Sequence, residues 1–156
     1  MSKKVVTIPC SGRMVRPHSK KLEWELRNFV TSTGGSYYDD EILNGIIALY
    51  FKLANEICVE QKVRIRQKDY ICHTTLSCYF DPNDKESLLK CVQLANAINC
   101  KLDYGNFEVC VETGEVMFKS VYEPDGFVCT DSLDKLIGYP RHIINQYGYM
   151  FLNLNK

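Results

Sequence analysis

The chain has 156 residues, with 19 basic and 19 acidic side chains and three histidines, so its formal net charge is zero. That length fits one domain, long enough to bury about two thirds of its unfolded surface without disulfide or metal staples. With 46% apolar and 24% charged residues, the composition excludes a disordered, collagenous or membrane-spanning chain, and a neutral total gives no global attraction to nucleic acid or an anionic surface.

Residues 1 to 21 carry Lys3, Lys4, Arg13, Arg16, Lys20 and Lys21 and no acid, interrupted by Pro9, Gly12 and Pro17. The segment 1–18 reads as a basic, extended arm, with a short strand at Val5 to Ile8, ahead of a single domain over 19–156. Ser19 is placed to cap a helix to about Thr33, in which Leu22, Leu26, Phe29 and Val30 recur at helical spacing, and Gly34 and Gly35 supply the backbone freedom to stop it. Ile42 to Cys58 fits either period, but aromatic and β-branched content and Gly45 favour a strand from about Ile46 to Leu53.

In the next segment Val63 and Ile65 point one way while Lys62, Arg64, Arg66 and Lys68 point the other, a strand with one solvated, basic face. After a turn at Lys68 and Asp69, the residues Tyr70, Cys72, Thr74, Leu76, Cys78 and Phe80 share one face of a third strand. Asp81 to Asp84 are turn and cap residues that introduce a helix from about Lys85 to Asn99, with Leu88, Cys91, Val92, Ala95 and Ile98 as its apolar stripe. A second hairpin follows, in which Phe107, Val109 and Val111 alternate with Glu108, Cys110 and Glu112, and Thr113-Gly114 turns the chain into Val116, Phe118, Ser120 and Tyr122. Asp131 caps a short helix that Gly138 ends, and Pro140 starts a final helix to about Leu152.

The fold class is therefore α+β: an antiparallel sheet of about five strands with helices on one face, in the order helix, three strands, helix, two strands, then one or two helices. The open sheet face or a sheet edge is where such a fold recruits a partner chain.

Eight cysteines would indicate disulfides in a short secreted chain, but MSKK is not followed by the apolar stretch of a signal peptide, and no apolar run is long enough to span a membrane. The expectation is a cytoplasmic protein with free thiols. Zinc ligands at CxxC-like spacing are absent, the closest pair being Cys72 and Cys78, so no metal site is expected. Cys72, Cys78, Cys91 and Cys110 sit in apolar patterns as small hydrophobes. Cys129 is the best candidate for a reactive thiol, alone or paired with His142, although Asp131 beside it works against a depressed pKa.

The segment Leu94-Ala95-Asn96-Ala97-Ile98-Asn99, then Tyr104-Gly105-Asn106-Phe107-Glu108-Val109, then Glu112-Thr113-Gly114-Glu115-Val116-Met117-Phe118, with Gly126 and Tyr147 further on, resembles the YbjN-type family of candidate bacterial sensory-transduction regulators. The resemblance runs from about Ile46 to Leu152. It implies a fold similar to that of type III secretion chaperones, small and often dimeric cytoplasmic proteins that bind partner polypeptides, and it implies no catalytic residues and no cofactor. Each matching residue also has a physical reading: Asn96 and Asn99 at a helix end, Gly105 and Gly114 at turns, Phe107 and Phe118 in the core.

Three functions follow as expectations. The first is a non-enzymatic, dimeric protein-binding module whose basic strand face, Lys62, Arg64, Arg66 and Lys68, meets an acidic segment of a partner, unless Glu108 and Glu112 neutralise it. The second is a thiol redox sensor or small enzyme using an exposed cysteine. The third is weak polyanion binding through the arm; it has no aromatic residue for stacking, so nucleic acid is the less favoured partner.

Overall fold

Ser19 opens the first helix, α1 (Lys20–Ser32), by accepting the Leu22 N–H on its hydroxyl at 3.3 Å, and Leu22, Leu26 and Val30 form the buried stripe. The computed structural model describes residues 17–33, 38–39, 45–52, 58–124 and 130–154, with the side chains at 38, 39, 58, 77, 78 and 130 left aside. The strand expected at Val5 to Ile8, the glycine stop at 34–35, Gly126 and Cys129 lie outside those residues. Within them α1 ends on Thr33, whose backbone N–H and hydroxyl both donate to the Phe29 carbonyl.

β1 (Tyr38–Asp39) pairs with β2 (Ile46–Lys52), a short edge strand that the sequence pattern does not announce. The stretch that fitted two periods is a strand because Ile46, Ile47, Ala48 and Leu49 are all buried. An unbroken apolar run carries no alternation to read. β3 (Cys58–Ile65) begins four residues before the expected Lys62, since an inward Gln61 breaks its apolar pattern. β4 (Tyr70–Tyr79) returns across a tight turn in which the Arg66 N–H donates to the Asp69 carbonyl at 2.9 Å.

Asp84 caps α2 (Lys85–Asn99), which buries Cys91, Ala95 and Ile98. β5 (Asn106–Val109) and β6 (Glu115–Tyr122) form the second hairpin. Val111, expected to prolong β5, is instead half exposed in the turn, because Cys110 already closes the hairpin through its N–H to the Glu115 carbonyl. Gly114 there has φ +70°, and a Cβ would stand 1.6 Å from the Phe80 carbonyl oxygen, so only glycine fits.

The C-terminal region is a single helix, α3 (Thr130–Leu154), without the expected break between Gly138 and Pro140. Pro140 removes one backbone donor from its interior without ending it. One turn earlier, Gln61 donates its side-chain amide to the Ile137 carbonyl at 3.0 Å, a tertiary bond that ties this part of the helix to the sheet.

The sheet is antiparallel throughout, in the order β1-β2-β3-β4-β6-β5. Val59 belongs to one core cluster, with Phe107, Phe118 and Cys91, Ala95 and Ile98 of α2; Val63 and Ile65 belong to the other, with Leu22, Leu26 and Val30 of α1. Residues two apart on a strand share a face, so all three helices lie on one side. α3 spans both clusters, giving Leu133, Leu136 and Ile137 to the second and Ile143, Ile144 and Phe151 to the first.

Candidate interaction surface

The opposite face of the sheet has no described helix on it, and the strand register orders its side chains into three cross-strand rows. The middle row is Ala48, Lys62, His73, Lys119 and Asn106; on one side run Tyr50, Glu60, Thr75, Met117 and Glu108, and on the other Ile46, Arg64, Ile71 and Val121. A basic band thus lies between a band holding two acids and a largely apolar band. Lys62 pairs with Glu60 at 3.1 Å, Glu60 also accepts from the Tyr50 hydroxyl at 2.7 Å, and Lys119 pairs with Glu108 at 3.1 Å.

The electrostatics of the middle row follow from these neighbours. Partial burial, then Lys119 and Arg64, push the His73 imidazole below its ordinary range against the pull of Glu108, so it is uncharged at neutral pH. Burial works against ionised Glu108, but hydrogen bonds from Asn106 and Lys119 win and hold its carboxyl below the usual range.

The expected basic stripe is divided by the structure. Lys62 and Arg64 stand on the open face of β3, whereas Arg66 and Lys68 lie past its end, in the turn to β4. Arg66 makes a two-pronged ion pair with Asp69. Of the two acids expected to neutralise the stripe, Glu108 pairs with Lys119 and Glu112 sits in a turn, where it accepts from the Cys110 thiol at 3.3 Å; Lys62 pairs instead with Glu60. Around the turn, Pro17 and residues 64–69 line an open groove of about 600 Å³.

Of the motif residues, Phe107 and Phe118 are buried and pack edge to face with centroids 5.2 Å apart. Gly105 and Gly114 both have φ +70°. Asn96 is exposed on α2. Asn99 reaches across to β5, the sheet's edge strand: its amide donates to the Phe107 carbonyl at 3.0 Å and accepts the Phe107 N–H at 2.7 Å.

Sequence patterns alone miss a buried polar link. Gln61 is fully buried, donates to the Thr74 hydroxyl at 3.3 Å and to the Ile137 carbonyl, and accepts from Arg141 Nε at 3.3 Å; the Arg141 guanidinium lies 4.5 Å over the Phe51 ring. Cys72 lies beside this link, its sulfur 3.8 Å from the Thr74 hydroxyl, and burial pushes its thiol up to about 11, opposite to what a reactive cysteine needs. Cys91 is also buried, Cys110 half-buried and Cys100 exposed, all four as free thiols. Among the described residues no three His, Cys, Asp or Glu side chains converge as metal ligands, and no helix is long and apolar enough to cross a membrane.

A solved structure has the same arrangement. The crystal structure of YbjN from E. coli, described as a candidate transcription regulator, superposes with a TM-score of 0.59, covering 82% of this chain and 92% of that one at 10% sequence identity. The chain has the YbjN fold. At that identity the likeness to YbjN is one of fold, and it agrees with the resemblance carried by the second hairpin. No protein-family profile and no curated protein sequence matches the chain.

Proposed function

We propose that the chain is a non-enzymatic regulatory module, regulator-like or secretion-chaperone-like, that works as a homodimer and binds a partner polypeptide on the open face of its sheet. The observation that carries this reading is the one-sided packing: α1, α2 and α3 all cover one face, and no described helix lies over the banded face of Tyr50, Glu60, Lys62, His73 and Lys119. Alternating bands of charge and apolar side chain fix the register of a docked partner as well as attracting it. The description of YbjN as a candidate transcription regulator supports the regulatory side of the reading. The buried, high-pKa thiol of Cys72 speaks against redox chemistry at that position.

Affinity capture combined with light scattering tests the proposal. The expected result is a dimer at micromolar concentration and a partner that the wild-type protein retains and the Lys62→Glu/Lys119→Glu variant loses. A strict monomer that retains no partner, or a partner held equally by both proteins, would count against it.

A further inference from the structure

We infer that the groove at the β3–β4 turn is an anchoring site for an extended acidic peptide segment of the partner, a step that rests on the protein-binding reading above. The groove is lined by Pro17 and residues 64–69, so its wall carries three cations, Arg64, Arg66 and Lys68, and one carboxylate, Asp69. Asp69 is consumed by Arg66 in their two-pronged pair. Arg64 and Lys68 have no carboxylate within ion-pair distance among the described residues, which leaves two uncommitted positive charges facing one hollow.

The backbone of the wall is tied down on both sides. The Arg66 N–H donates to the Asp69 carbonyl at 2.9 Å, the Ser19 N–H to the Arg66 carbonyl at 3.1 Å, and the Ile65 N–H to the Gly45 carbonyl at 2.7 Å. These bonds hold the turn between the start of α1 and the start of β2, so the backbone of the wall need not be ordered when a ligand docks.

Charge chooses the occupant. The chain's own first 16 residues carry Lys3, Lys4, Arg13 and Arg16 and no acid, so they offer these cations no carboxylate. A nucleic acid would seek aromatic faces for its bases and more free cations for its phosphates, and the lining has no aromatic residue. An acidic peptide needs what is present: two free cations, with Pro17 and the alkyl stems of Arg64 and Lys68 for the side chains between its carboxylates.

Fluorescence anisotropy of the full chain with a labelled peptide of alternating Asp and Val tests this. The comparisons are the same peptide with Asn for Asp and a single-stranded oligonucleotide of equal charge. The account expects salt-sensitive binding of the Asp peptide, weakened about tenfold or more by Arg64→Ala/Lys68→Ala, restored by the charge-preserving Arg64→Lys/Lys68→Arg, and unchanged by Lys90→Ala on α2. Equal binding of the Asn peptide, no loss in the alanine variant, or tighter binding of the oligonucleotide would overturn it. If the alanine variant keeps the peptide while Lys62→Glu/Lys119→Glu still loses the partner, the groove assignment falls and the module reading stands.

Discussion

Asn99 occupies the outward backbone groups of Phe107 on the edge strand β5 with one side chain, because its amide supplies both the donor and the acceptor that a neighbouring strand would offer. An open edge is a template for unwanted pairing. Asn99→Ala leaves a carbonyl and an N–H unsatisfied and should cost about 1–3 kcal/mol in urea unfolding, with added self-association. The sequence marks Asn99 only as a helix-end residue; its partner is eight positions on, across a turn whose shape no spacing rule supplies. Gly114 was legible, since a positive φ at a hairpin is a glycine position, and Gly114→Ala should abolish folding or lower the thermal midpoint severely, as a Cβ would meet the Phe80 carbonyl. Glu23 gives a pH signature. Burial opposes its ionisation, but hydrogen bonds from Lys20, His18 and Arg27 prevail and lower its pKa from 4.5 to about 2. The stability it contributes is present above pH 4.5 and is lost as pH falls from 4.5 towards 2. Acid unfolding of Glu23→Gln should be flatter across that window than wild type.

At the scale of elements, α3 and β3 show what patterns conceal. Gly138 and Pro140 read as a stop and a start, yet the helix runs through both, and burial of Leu136, Ile137, Ile143 and Ile144 on either side outweighs one missing backbone bond. β3 begins earlier than its alternation indicates because Gln61 occupies a core position, where Thr74, Ile137 and Arg141 satisfy it. Gln61→Leu should therefore destabilise by about 1–3 kcal/mol despite being more apolar, since it strands the Arg141 Nε donor and the Thr74 hydroxyl; denaturant unfolding reads the difference. The α1, β4 and α2 elements were legible because caps, turn residues and amphipathic stripes agree in each. The basic stripe was half legible: alternation places Lys62 and Arg64, but nothing in it says that the strand ends at Ile65 and that Arg66 and Lys68 belong to a turn.

For the whole molecule, neutrality is a sum of unlike parts. Six of the 19 basic residues and none of the 19 acidic ones fall in residues 1 to 21, so the rest carries a net charge of about minus six. Within that acidic remainder Arg64 and Lys68, with no carboxylate in ion-pair distance among the described residues, stand at the β3–β4 turn, beside a sheet face banded by charge. Cys72 and Cys91 are sealed in the core and Cys100 is exposed, so alkylation of the native protein at neutral pH should label Cys100 and spare the other two; labelling of Cys72 at the rate of an unfolded control would contradict the packing described. We propose that the open sheet face receives a polypeptide. Site-specific photo-crosslinking in the native host tests it most directly, with the crosslinker placed in turn at Thr75 on the open face and at Tyr149 on the exposed side of α3. Position 75 should yield a discrete crosslinked partner, lost with Lys62→Glu/Lys119→Glu, and position 149 none. A partner captured only from position 149, or from neither, would contradict it.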